Sequence, residues 1–171
     1  LVMDLESGVP FPDGPPLDAA AVKFNLERCK NDQRSNLKAD VASIDTIEVT
    51  GPLQVTLKLK QPDTALVLIL SDRAGMMFSP KALAGMQDKE SDRKPVGAGP
   101  WKYVSWTDNE KVVVTRNDKY WRKDLPLLDG IEFSLIPEGN TGLRSVIAGQ
   151  NQFAHALSPQ QKPVIDRSKG L

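Results

Sequence analysis

Alternation between apolar and polar residues in the segment IDTIEVTGPLQVTLKLK constrains the fold of this chain more than any other feature. In its second half, Leu53, Val55, Leu57 and Leu59 fall on one face of an extended strand, and the polar residues between them fall on the other. The segment therefore predicts a hairpin in a sheet with one buried and one solvated face.

A helical pattern precedes this hairpin. Ala19, Val22, Leu26 and Cys29 recur at helical spacing and form one apolar face, and Asp18 is suited to cap the N-terminus of the helix. Cys29 is accordingly assigned to packing. The segment DTALVLIL that follows the hairpin is too apolar for a surface helix, so we expect a buried helix beneath the sheet, and SPKAL predicts a further short helix.

The charged segment MQDKESDRKP is nearly devoid of apolar residues and predicts a solvated loop that separates two parts, residues 1–90 and 91–171. The second part contains an aromatic hairpin, WKYVSW to KVVVTRN, then the strand GIEFSLI, the helix TGLRSVIAG and a closing helix after Ser158-Pro159. These elements predict a mixed α/β (α+β) fold with antiparallel hairpins and short helices.

Charge and hydropathy exclude several partner classes. Twenty-two basic residues balance twenty-two acidic ones, so no net positive field attracts nucleic acid or an anionic membrane. The longest apolar run, ALVLIL, is far shorter than the roughly 20 residues of a membrane helix. The single Cys29 excludes an intrachain disulfide. Because the chain begins within a predicted strand and shows no signal segment, we expect it to be a fragment of a longer protein.

Two glycines one residue apart occur in RKPVGAGPWKYVSW. Gly97-Ala98-Gly99 lacks the third glycine of a dinucleotide-binding loop and the Gly-Lys-Ser/Thr of a phosphate-binding loop. Glycines reach positive φ and prolines fix φ, so the segment predicts a tight corner before the aromatic strand.

Candidate chemistry is sparse. His155 is the only histidine and has no nucleophile pattern around it, and no metal or cofactor motif is present, so we expect neither catalysis nor a cofactor. The aromatic residues Trp101, Tyr103, Trp106 and Trp121 could form a ligand platform, but sheet packing is the preferred interpretation. The runs KNDQR and QDKESDRK are interpreted as solvated surface.

Four blocks in order carry a family resemblance: GVPFPDGPPLDAAAVKFNLER, PVGAGPWKYVSWTDNEKVVVTRNDKYWR, LDGIEFSLIPEGNT and IAGQNQFA. Together they resemble the family 5 extracellular solute-binding proteins of bacterial peptide and nickel ABC transporters, along almost the whole chain. The second block is the most specific, because the family has V-G-T-G-P-[YF], an aromatic strand, and a second strand that ends in R-N-x-x-Y-W.

The resemblance implies a fragment of a lobe of the type II periplasmic binding protein fold. Residues 1–90 would be a first-lobe subdomain, and 91–171 would lead to the hinge toward a second lobe that lies mostly beyond Leu171. The implied function is capture of peptides or a similar small solute outside the cytoplasmic membrane and delivery to the permease. The implied location is periplasmic or extracytoplasmic, with an optional lipid anchor, and the implied state is monomeric.

Three departures from the family pattern are visible. Ala98 replaces the usual Thr, Ala21 replaces a frequent acidic residue, and Gln152 stands where the family commonly has S-G-E-I-D, a segment that approaches the ligand cleft. The resemblance therefore makes Gln152, Phe153 and His155, on an expected strand after Gly149, the candidates for lining that cleft. Alternation along this strand would instead bury Phe153 and His155 on one face and leave Gln152 on the other.

Two other functions remain alternatives at this point. The same lobe could belong to a sensor or adhesion protein that does not transport its ligand. An enzymatic function would need a catalytic set that the residues do not supply.

Overall fold

A computed structural model describes residues 1–86, 89–155 and 157–168 of the chain. Within these ranges the strands and α-helices, in chain order, are β1 (Val2–Asp4), α1 (Ala19–Asn31), β2 (Ile44–Gly51), β3 (Gln54–Leu59), α2 (Leu66–Leu70), α3 (Pro80–Ala84), β4 (Trp101–Thr107), β5 (Lys111–Arg116), β6 (Gly130–Ser134), α4 (Gly139–Ile147) and α5 (Lys162–Arg167). Single 3-10 turns lie at Arg73–Gly75, Glu90–Asp92 and Pro159–Gln161. The mixed α/β fold class is confirmed.

The first sheet has the strand order β1-β3-β2, and both pairings are antiparallel. Ile47 pairs with Leu57 and Val49 with Val55, which confirms the predicted hairpin. Val55 and Leu57 are fully buried, whereas the polar residues between and beside them reach solvent. The alternation therefore divides the sheet into a core face and a solvated face.

Helix α1 begins where the sequence predicts. The Asp18 carboxylate accepts a hydrogen bond from the Ala21 N–H at 2.8 Å, and this caps the helix. The apolar stripe of α1 packs into one cluster with residues of the sheet and of the segments that follow it. The buried members of this core are Ala19, Val22, Leu26, Val41, Ile44, Ile47, Val55, Leu57, Leu66 and Ala74. Cys29 packs against this cluster, as predicted.

The expectation of a buried helix at DTALVLIL is correct for one side of the helix and wrong for the other. Helix α2 has five residues, of which Leu66 is buried, whereas Val67 and Leu68 are 61% and 73% exposed. Successive residues of a helix are separated by about 100° around its axis. When Leu66 faces the core, the two residues that follow it therefore point away from the core. High apolar content alone did not establish burial.

The chain divides into two compact units, and the division into residues 1–90 and 91–171 stays a prediction. The first unit comprises Leu1–Ser105 and Val113–Ile131, and the second Trp106–Val112 and Glu132–Leu171. Gln87 and Asp88 of the charged segment lie outside the described residues. The rest of that segment belongs to the first unit, where the Ser79 N–H donates to the Val96 carbonyl at 2.8 Å and joins the two sides of the segment. Charge in a segment predicts exposure and does not reveal such long-range bonds.

The glycine corner at 97–99 forms by a different mechanism from the expected one. Neither Gly97 nor Gly99 has a positive φ. The buried Asn117 instead fixes the corner, because its Nδ2 donates to the Gly99 carbonyl at 2.8 Å and its N–H to the Pro100 carbonyl at 2.9 Å. The corner leads into β4, which with β5 and β6 forms a second sheet of order β4-β5-β6.

Candidate functional site

A surface cleft of about 420 Å³ opens in the first unit at the C-terminal end of α1. Its volume lies in the range of roughly 300 to 1,000 Å³ that small-molecule sites occupy. The walls come from the last turns of α1, the loop that follows the helix, the 3-10 turn at 73–75 with its flank, and the turn at 90–92. The lining residues are Asn25, Arg28, Cys29, Asp32, Arg34, Ser35, Asn36, Leu37, Arg73, Ala74, Met76 and Asp92.

Asn25 holds two walls of the cleft together. Its side chain is 6% exposed, and its Nδ2 donates to the Phe78 carbonyl at 2.8 Å and to the Ala21 carbonyl at 2.9 Å. Its Oδ1 accepts from the Phe78 N–H at 2.9 Å. A buried amide that satisfies both backbone groups of a distant residue fixes helix α1 against the segment that contains Met76.

The loop after α1 is ordered by short-range hydrogen bonds. The Ser35 hydroxyl donates to the Cys29 carbonyl at 2.6 Å and accepts from the Leu37 N–H at 3.2 Å. The Asp32 carboxylate accepts from the Arg34 N–H at 2.9 Å. These bonds satisfy groups at the helix end and hold the loop as one wall of the cleft.

Charges of both signs line the cleft. The carboxylate of Asp32 lies between two arginines, with its oxygens 3.8 Å from Arg28 Nε and 3.9 Å from Arg34 Nε. Arg73 and Asp92 differ from these three, because neither side chain makes an ion pair or hydrogen bond with another residue in the described part of the chain. With three arginines and two aspartates, the lining carries an excess of positive charge and favours an anionic group of a ligand.

Cys29 is a half-buried thiol on the same wall. Burial raises its pKa above the ordinary value, and the nearby Asp40 carboxylate acts in the same direction. The thiol is therefore protonated at neutral pH, and its neutral state suits a packing role rather than a nucleophilic one.

Neither metal ligation nor membrane crossing has support in the described ranges. No three His, Cys, Asp or Glu side chains there are grouped so that they could hold a metal ion. None of the helices within those ranges has the length and apolar character that crossing a bilayer requires.

The residues proposed from the sequence, Gln152, Phe153 and His155, lie in the second unit. The structure forms no strand at 150–155, and all three side chains are exposed, Phe153 by 79%. Burial of Phe153 and His155 on one face of a strand is therefore wrong. The neighbouring Ala156 lies outside the described residues.

Helix α4 explains why no strand follows it. Gly149 has a φ of 72°, and the N–H groups of Gln150 and Asn151 both donate to the Ser145 carbonyl, at 2.8 and 3.2 Å. The Asn151 Nδ2 also donates to the Ser145 hydroxyl at 2.8 Å. Gln150 and Asn151 thus end the helix, and their N–H groups are not available for strand pairing.

The interpretation of KNDQR and QDKESDRK as plain surface missed part of the cleft. Asp32 and Arg34 come from the first run and Asp92 from the second. The sequence signal was weak, because charged residues after a helix end are typical of any solvated loop.

Comparison with protein families gives a match over the full length of the chain. The model for bacterial extracellular solute-binding proteins, family 5 middle region, matches residues 1–171. The chain belongs to this family. The family resemblance predicted from the sequence is confirmed.

Curated relatives of this family 5 chain include glutathione-binding proteins. The protein GsiB of Salmonella paratyphi A is 36% identical over 171 residues, which cover 98% of this chain and 33% of the relative. GsiB of Escherichia coli O157:H7 is 34% identical with the same coverage. The chain therefore spans about a third of the length of the curated relatives it matches.

Solved structures agree with the family fold. An ABC transporter substrate-binding protein from Sinorhizobium meliloti is 33% identical, with a TM-score of 0.71 over 87% of this chain and 30% of that chain. OppA of Burkholderia pseudomallei has a TM-score of 0.89 over 99% of this chain and 37% of that chain. Its sequence is 19% identical, so this likeness concerns the fold alone.

Proposed function

We propose that the protein containing this chain is the substrate-binding component of an ABC transporter. It captures a peptide or similar small solute outside the cytoplasmic membrane and delivers it to the membrane permease. The observation that carries the proposal is the family match over residues 1–171. The names of relatives support it, since they include glutathione-binding and ABC transporter substrate-binding proteins.

Capture of this kind needs no covalent step. Residues 1–90 belong to a first lobe, and 91–171 lead toward the hinge and a second lobe supplied by the rest of the longer protein. Lobe closure buries the solute and shifts the population from open to closed forms. The protein acts as a periplasmic or extracytoplasmic monomer without enzymatic activity, and a lipid anchor is compatible with this role.

The cleft in the first unit is the proposed contact region for one end of the solute. Three observations favour it: a suitable volume, an ordered wall, and the Arg73 guanidinium, which has no partner among the described residues. Arginine presents a planar set of donors that matches a carboxylate. Gln152, Phe153 and His155 are proposed as further ligand contacts in the longer protein.

Mass spectrometry of solutes that co-purify with the longer protein tests this function. We expect a bound small solute in the wild type, and loss of it in Arg73→Gln. Phe153→Ala and His155→Ala should each weaken retention of the same solute, whereas Val164→Ala changes an exposed apolar residue not assigned to the site and serves as the control. Retention of the solute by all three variants, with folding intact, would remove these residues from the site.

A further inference from the structure

The segment after helix α4 is attached to that helix at both of its ends. At the first end, the Asn151 Nδ2 donates to the hydroxyl of the buried Ser145 at 2.8 Å, and the Asn151 Oδ1 accepts from the Ser134 hydroxyl at 3.3 Å. At the second end, the Gln161 Nε2 donates to the Asn140 Oδ1 at 3.1 Å. Asn140 and Ser145 both belong to α4, so one helix holds the two ends.

Gln161 makes the second attachment from a buried position. The residue is 5% exposed, and besides the bond to Asn140 its Oε1 accepts from the Ser158 N–H at 2.7 Å. Gly139 leaves room for this amide, because a Cβ atom there would lie 3.3 Å from the Gln161 Nε2. The oxygen and the nitrogen of the amide are thus both satisfied, one by the chain that leaves the loop and the other by the helix.

The two attachment points are close together for the length of chain that connects them. Asn140 and Ser145 are five residues apart, which corresponds to about 7.5 Å along a helix axis. Residues 152–157, of which all but Ala156 are described, could extend over roughly 20 Å. The chain therefore has more length than the span requires and forms a loop, in which Phe153 is 79% exposed. Compact loops with close ends often carry functional residues.

We propose that Gln161 is a positioning residue, which fixes the end of loop 152–157 on helix α4 and keeps Phe153 in one exposed position. Loss of the Gln161 bond to α4 would release that end of the loop and let Phe153 sample more positions. An apolar side chain that is already in place loses less entropy when it meets a binding partner. The benefit to solute contact rests on the proposed function, whereas the anchor itself does not.

Chymotrypsin tests this assignment without any solute, because it cleaves after aromatic residues in segments that can open locally. In the longer protein, mass spectrometry of timed digests measures the rate of cleavage between Phe153 and Ala154. Gln161→Ala removes two hydrogen bonds, and we expect this rate to rise by about tenfold or more. Asn140→Ala removes the bond to α4 from the exposed partner, and we expect a rise of about fivefold.

Controls separate release of the loop from a general loss of stability. Gln160→Ala should leave the rate at Phe153 unchanged, since Gln160 is exposed and makes no side-chain hydrogen bond within the described residues. Cleavage after Trp121 and Phe133, which are 42% and 48% exposed, should change in none of the variants. An unchanged rate at Phe153 in Asn140→Ala, or an equal rise at all three aromatic residues, would overturn the inference. The proposed function fails separately, if no solute co-purifies with the wild type.

Discussion

Replacing Asn25 by alanine removes the bonds that join helix α1 to the opposite wall of the cleft. The Asn25 side chain donates to the Phe78 carbonyl at 2.8 Å and accepts from the Phe78 N–H at 2.9 Å. Each such bond contributes about 0.5 to 1.5 kcal/mol net, and a buried group left without a partner costs about 1 to 3 kcal/mol. We therefore expect the free energy of unfolding to fall by about 2 to 4 kcal/mol, a large part of the roughly 5 to 15 kcal/mol of a folded domain.

Urea denaturation of the 171-residue chain, followed by far-ultraviolet circular dichroism, measures this loss. The midpoint should move to lower urea with an unchanged slope, because the surface exposed on unfolding stays nearly the same. Asn36→Ala is the matched control, since Asn36 lines the same cleft, is exposed, and makes no side-chain hydrogen bond within the described residues. That variant should stay within about 0.5 kcal/mol of the wild type.

A second variant separates the donor role of the Asn25 side-chain amide from its acceptor role. Asn25→Asp keeps an acceptor for the Phe78 N–H but, when ionised, loses the donor to the Phe78 carbonyl and buries a negative charge beside it. We expect this variant to be at least as unstable as Asn25→Ala at neutral pH. A loss below about 1 kcal/mol in both variants, or a loss equal to that of Asn36→Ala, would refute the structural role of Asn25.

Three further outcomes are expected. Asn117→Ala should lower the free energy of unfolding by about 1 to 3 kcal/mol, measured in the same urea titration, because Asn117 is 2% exposed and satisfies the Gly99 carbonyl; a loss near zero would contradict its role in the corner. Hydrogen bonds from the Thr141 hydroxyl and the N–H groups of Asn140 and Thr141 lower the pKa of Glu138, so its carboxyl resonance should titrate below the ordinary glutamate value. The stability that Glu138 adds is present above its pKa in the unfolded chain and is lost as the pH falls through its pKa in the folded chain. Burial raises the pKa of Cys29, so alkylation by iodoacetamide should reach half its maximum rate at a higher pH than for a free thiol. Because the thiol ionises at a lower pH in the unfolded chain, the free energy of unfolding should fall as the pH rises from the pKa of the unfolded chain through that of the folded chain.

Local sequence patterns predicted the elements in which apolar residues recur at a regular spacing. The helix after Asp18 and the hairpin around Val55 follow from helical and two-residue periodicity, and both are confirmed. Helix α2 was placed correctly but its exposure was not, because a single helical turn is too short for periodicity to show which side faces the core.

The cleft could not be predicted in the same way. Its charged residues come from segments near positions 28–34, 73 and 92, which meet only through tertiary packing. A buried asparagine such as Asn25 looks like any helix residue until its partner, Phe78, is known. The family resemblance supplied the fold and the proposed function, while the candidates Gln152, Phe153 and His155 remain predictions.

Solute uptake by cells tests the proposed function most directly. The solute that co-purifies with the longer protein is labelled, and its uptake is measured in cells with and without the gene. We predict that deletion abolishes uptake at low solute concentration, that the wild-type gene restores it, and that Arg73→Gln does not, although the variant protein folds and is exported. Unchanged uptake in the deletion strain, with the purified protein still binding the solute, would contradict transport and favour a sensor or adhesion function.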